Sequence, residues 1–139
     1  MGSNAPAAER TEAWLARNDA WLFVAFRCHD RAADKIACQV VSRDQSVHHD
    51  DSVEVYISPG TAGATYYHFL VNAAGVQGDN RAEGGDFNVP WDAHWRSAAR
   101  VDAKAGGWTA ELAIPLFYLT DHAGANAWTL NLARNRRVD

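Results

Sequence analysis

Asp50-Asp51-Ser52-Val53-Glu54-Val55-Tyr56-Ile57-Ser58-Pro59-Gly60 decides the fold class. Val53, Val55 and Ile57 alternate with Ser52, Glu54 and Tyr56, and a period of two belongs to a half-buried strand rather than a helix. The inward set is entirely β-branched, which favours extended backbone, and Pro59-Gly60 closes the run. Beyond it, Thr65–Asn72 repeats the pattern, with Tyr67, Phe69 and Val71 on one side and Tyr66, His68, Leu70 and Asn72 on the other. The two runs therefore read as a hairpin across a Gly-rich turn at 60–64.

Similar short runs continue in both directions. Thr11–Arg17, Trp21–Cys28 and Ile36–Ser42 read as strands upstream, and Val76–Asp79, His94–Val101, Trp108–Ile114 and Trp128–Arg134 downstream. Leu116–Leu119, after Pro115, reads as one helical turn, and Arg81–Asp92 as a long loop without period. Many short alternating strands separated by turn residues predict an all-β, antiparallel sandwich of the immunoglobulin-like or jelly-roll type. Residues 1–10 are small, polar and patternless, so they read as a disordered or expression-derived tail before one domain at 11–139.

Composition narrows the function. Of 139 residues, 47% are hydrophobic and 22% charged, and the net charge is -4. A net negative chain with only one small basic cluster, Arg134, Arg136 and Arg137, argues against a nucleic-acid partner. No apolar run approaches the ~20 residues that span a bilayer, and no signal peptide is visible, so no membrane partner is expected. Cys28 and Cys38 leave two readings, a pair of thiols or one disulfide between neighbouring strands.

Alternation also assigns faces. In Trp108–Ile114, Thr109, Glu111 and Ala113 point away from the core, and in Trp128–Arg134 Thr129 and Asn131 do so. With these strands as neighbours, one outer face collects Glu54, His68, Asn72, Glu111 and Asn131. Carboxylates and amides bind vicinal hydroxyls, and aromatic planes stack on sugar C–H surfaces. An ordinary solvated sheet face is the competing reading.

Several segments in one collinear order resemble the family-nine carbohydrate-binding modules, a DOMON-like sandwich. They are Asp50–Ile57, Tyr67–Asn72 with Gly75-Val76 and Asp79, Gly107–Pro115, Trp128–Arg134, and Trp21–Ala25 with Asp30. The resemblance implies a non-catalytic, secreted, bacterial sugar-binding module with an extracellular or periplasmic location. It implies a sugar held on a concave sheet face between two tryptophans, and structural calcium in some members. By position, Glu54 falls on a hydroxyl-binding glutamate and Asn131 near an amide of the last strand. Asn72 and Glu111 match frequent family residues. His48 stands where the first platform tryptophan would be, and Leu70 stands for an arginine. The second platform lies beyond the last strand, so the domain reads as shortened at both ends.

Trp91 and Trp95 flank the long loop and are the candidates for exposed platforms, while Trp14, Trp21, Trp108 and Trp128 fall in strand patterns that assign them to the core or its margin. A metal cluster at His48-His49-Asp50-Asp51 is disfavoured, because adjacent strand residues point to opposite faces. Asp79, Asp86 and Asp92 are the loop carboxylates available to calcium. Glu54 and Glu111, read onto one sheet face, could meet the spacing of a glycosidase pair, but no nucleophile motif accompanies them. No other cofactor is expected. Two alternatives remain: an assembly module that oligomerises through exposed edge strands, and a haem-binding relative. The latter is the weaker, since no methionine follows Met1 to serve as an axial ligand.

Overall fold

The structure is a computed structural model that describes residues 6–60, 65–84, 86–88, 91–119 and 127–137. Its strands are β1 (Thr11–Arg17), β2 (Trp21–His29), β3 (Ser52–Pro59), β4 (Thr65–Asn72), β5 (Gln77–Glu83), β6 (Asp86–Asn88), β7 (Arg96–Asp102), β8 (Gly107–Pro115) and β9 (Trp128–Asn135). They form two antiparallel sheets, one ordered β1-β2-β8-β7 and the other β6-β5-β4-β3-β9. The expected sandwich is therefore present. Most of the Gly-rich turn lies at 61–64, outside the described residues. No helix among the described residues is long and apolar enough to cross a membrane.

The period-two pattern explains the layers. Val53, Val55 and Ile57 of β3 and Tyr67, Phe69 and Val71 of β4 are buried against Val24 and Phe26 of β2 and Trp108, Leu112 and Ile114 of β8. Cross-strand partners share a face, so Val55 beside Phe69 and Leu132 fixes which sides of β4 and β9 turn inward.

Three expectations change. Ile36–Ser42 is not a strand, because its amides are spent on two buried carboxylates. Asp51 accepts from Ala37 at 2.9 Å, and Asp50 accepts from Gln39 at 2.9 Å and Val40 at 2.8 Å. Part of the loop at 81–92 is instead a strand extension, with Ala82 paired to Phe87. At the N-terminal end, Arg31 donates to Glu9 at 2.8 Å and the His29 amide to the Arg10 carbonyl at 2.9 Å, so residues 9 and 10 of the expected tail are tied to the body. Both cysteines are free thiols, and burial pushes Cys28 up to about 12.

Candidate ligand-binding face on the β3–β4 sheet

The outward residues of β3, β4, β5 and β9 converge on Glu54. His68 Nε2 lies 2.7 Å from Glu54 Oε2, and Tyr56 donates its hydroxyl to the same oxygen. Asn135 on β9 donates its amide to Oε1. Glu54 is 6% exposed. Burial alone would raise its pKa, but the hydrogen bonds from His68, Tyr56 and Asn135 outweigh it and hold the group at about 2. Asn80 Nδ2 sits 3.0 Å from His68 Nδ1, which places the imidazole proton on Nε2, toward Glu54. Tyr56 stacks on His68 with centroids 4.1 Å apart and planes 6° from parallel, and Tyr66 stands 5.9 Å further along.

A cleft of about 260 Å³ opens beside this cluster, between the sheet and the segment 44–48. His48, His68, Leu70 and Asn80 line it. The segment closes on the sheet because position 78 is glycine. A Cβ there would lie 2.9 Å from Leu70 Cδ2 and 3.4 Å from Val47. Asn80 Oδ1 is buried without a hydrogen-bond partner among the described residues, and a buried carbonyl in that state has acceptor capacity to offer a ligand.

The expected site residues divide. Glu54 and His68 are in contact, and Asn131 is exposed on the same face opposite Tyr56. His48 is exposed at the cleft, on a 3-10 turn at Val47–His49. Asn72 instead ties the fold together. It donates to Asp50 at 2.8 Å and accepts from Val76 at 2.8 Å and Ala74 at 3.1 Å. Glu111 is not on this face: β8 lies between β2 and β7, so Glu111 points out from the opposite sheet. Trp91 and Trp95 are not exposed platforms. Trp91 packs against Tyr67, Phe69 and Tyr118, and buried Trp95 packs edge-on to Phe69 and donates to Asp79 at 2.7 Å. Their loop wraps the core rather than standing off it. Sequence reasoning left Tyr56, Asn80 and Asn135 out of the site. The spacing of Tyr56, two residues from Glu54 on one strand, already put it on the same face.

The carboxylates weighed for calcium do not fit that ion. Asp79 and Asp92 both accept from Arg43 Nη2, the latter at 2.7 Å, and Asp44 lies 3.3 Å from Arg43 Nε. The guanidinium already occupies the space these oxygens share. Asp86, on β6, makes no part of that group. The described residues contain no group of three His, Cys, Asp or Glu arranged to hold a metal. His68 has both ring nitrogens bonded, which leaves none for haem iron.

A family model described as carbohydrate family 9 binding domain-like matches residues 1–138. The chain belongs to this family. Among solved structures, a candidate carbohydrate-binding protein from Bacteroides uniformis ATCC 8492 superposes with a TM-score of 0.71 at 14% identity, covering 91% of this chain and 63% of that one. A family 9 module from Caldicellulosiruptor kristjanssonii, in complex with glucose, superposes with a TM-score of 0.64 at 14% identity, covering 97% of this chain and 66% of that one. Its cellotriose complex matches with the same score and identity, with 65% of that chain covered. This family 9 domain thus spans less than two thirds of the length of the structures it resembles. No curated protein matches it in sequence.

Proposed function

We propose that this family 9 domain is a non-catalytic carbohydrate-binding module that holds a sugar on the outer face of the β3–β4 sheet, over Tyr56 and Asn80 and beside His48. The observation that carries this reading is the Tyr56–His68 stack locked by Glu54, next to a cleft with an unmet Asn80 carbonyl. A rigid aromatic surface offers its face to pyranose C–H groups, and Asn80, Asn131 and His48 offer polar atoms to hydroxyls. Glu54 is a positioning residue here, since three donors already engage its buried carboxylate.

Hydrolysis by a carboxylate pair is disfavoured. Glu54 and Glu111 project from the outer faces of opposite sheets. Packed sheets lie about 10 Å apart before the side chains diverge, beyond the ~5–9.5 Å that glycosidase carboxyl pairs need. Glu54, held at about 2, is also a poor proton donor near neutrality.

The glucose and cellotriose complexes of the Caldicellulosiruptor module make β-linked glucose units the first ligands to try. In calorimetric titration, glucose, cellobiose or cellotriose should bind. Tyr56→Ala should weaken binding about tenfold, the cost of one lost stacking surface. Asn80→Ala should weaken it several-fold, and Tyr56→Phe, which keeps the ring, should cost less than Tyr56→Ala. No heat with any sugar, or affinities untouched by Tyr56→Ala and Asn80→Ala, would remove the site from this face.

A further inference from the structure

The second feature of the surface is apolar and lies on the other side of the molecule, around β1. Among the described residues nothing pairs with the outer edge of this strand. Trp14 and Leu15 are 54% and 52% exposed although they point to opposite faces of the sheet, and Phe23 beside them is 39% exposed. One cleft, of about 470 Å³, lies on the outer face between Trp14, Phe23 and Ala113. Another, of about 560 Å³, opens at the seam between the two sheets, where Leu15 and Leu22 face Trp128 and Leu130. Leu15 and Ala16 line both, so the apolar surface runs continuously around the edge. Edge strands are ordinarily guarded by charge, proline or a bulge. The other edge of this sheet, β7, carries Arg96, Arg100 and Asp102, but Ala13-Trp14-Leu15-Ala16 at the centre of β1 carries nothing of the kind.

We propose that β1 pairs antiparallel with the β1 of a second copy, joining two sandwiches through one continuous sheet. The backbone is set for it. His29 donates to the Arg10 carbonyl at 2.9 Å and Asn18 to the Trp21 carbonyl at 3.0 Å, both in the β1–β2 register. Antiparallel ladders alternate, so the even-numbered residues of β1 bond to β2. Thr11, Ala13, Leu15 and Arg17 are left with amides and carbonyls on the free edge. A two-fold axis at Trp14 pairs Ala13 with Leu15 and Thr11 with Arg17, so every one of these groups finds a partner. That register uses the whole strand and keeps like charges apart, since Glu12 meets Ala16. It sets the two Trp14 rings side by side on the outer face and covers Leu15 at both seams. A sugar on the outer face would leave the seam and the backbone edge bare, which is why a second copy is the better occupant.

Sedimentation equilibrium on the full chain tests this. The wild type should show twice the monomer mass at rising concentration. Trp14→Lys, which opposes two ammonium groups at the axis, should restore the monomer mass. Ala13→Pro removes a free-edge amide without touching the β1–β2 ladder and should do the same. Trp14 is already exposed, so Trp14→Lys carries the test if Ala13→Pro misfolds, with circular dichroism as the check on folding. A wild type that stays monomeric overturns the proposal, and a glycan held by Trp14 in that monomer would give the face to sugar. A dimer that survives Trp14→Lys in a folded protein overturns it too.

Discussion

Asp30→Ala should remove about 3–5 kcal/mol of folding stability, the usual cost of stranding one member of a buried charged group. Asp30 follows β2 and is 2% exposed. It accepts from Arg134 Nη2 at 2.9 Å, from Arg136 Nε at 2.7 Å and Nη2 at 3.0 Å, and from the Ala32 amide at 2.9 Å. Arg134 belongs to β9 in the other sheet, so this cluster fastens the two layers at one end of the sandwich. The Arg134 side chain is 8% exposed and also donates to the His29 carbonyl at 2.9 Å. Once the carboxylate is gone its positive charge stays buried beside neutral partners, that carbonyl and the Thr11 hydroxyl at 3.4 Å. Urea unfolding at neutral pH measures the loss. The double variant Asp30→Ala, Arg134→Met should cost less than the sum of the single changes, because it leaves no buried charge behind. A loss below about 1 kcal/mol for Asp30→Ala would mean the pair behaves as an exposed one.

Asp30 also shows where sequence reading ends. Its place after a strand is plain from the sequence, yet the arginines that hold it come more than a hundred residues later. The same limit separates the expectations that the structure keeps from those it changes. The strands at Thr11, Trp21, Thr65 and Trp128 begin where alternation placed them, because a period of two is a local property. Partner choice is not local. Alternation put Glu111 on an outer face, but only the strand order decides which sheet that face belongs to. Ile36–Ser42 has strand-like side chains, and it was Asp50 and Asp51, fourteen residues away in one case, that took its amides. Trp91 and Trp95 sit in a loop by sequence, and loop residues are usually exposed, but Phe69 offers both an aromatic partner in the core. The outward direction of Glu54 on β3 was legible from alternation. Its role was not, since the three donors that fill its oxygens come from β3, β4 and β9.

Glu54→Gln should lower stability at neutral pH by about 2–3 kcal/mol and remove much of the acid sensitivity of the fold. The folded carboxyl is held at about 2 against an ordinary value of 4.5. A folded value below the unfolded one means that the ionised group stabilises the native state. That contribution is complete above pH 4.5 and disappears as pH falls from there through about 2. The difference corresponds to roughly 3 kcal/mol by linkage. Wild-type stability should therefore drop between pH 5 and 2, and Glu54→Gln should drop less over the same range once the shared effect of Asp30, also held below its ordinary value, is subtracted. Urea unfolding of both proteins at pH 7, 5 and 3 provides the comparison. Parallel pH curves would show that Glu54 is not the titrating contact. The same variant separates positioning from direct contact. An amide cannot accept from His68, Tyr56 and Asn135 as a carboxylate does, so the ring stack should loosen. Sugar affinity should then fall at pH 7 in the fully folded protein. Unchanged affinity there would mean that the stack needs no carboxylate to hold it, and that Glu54 serves stability alone.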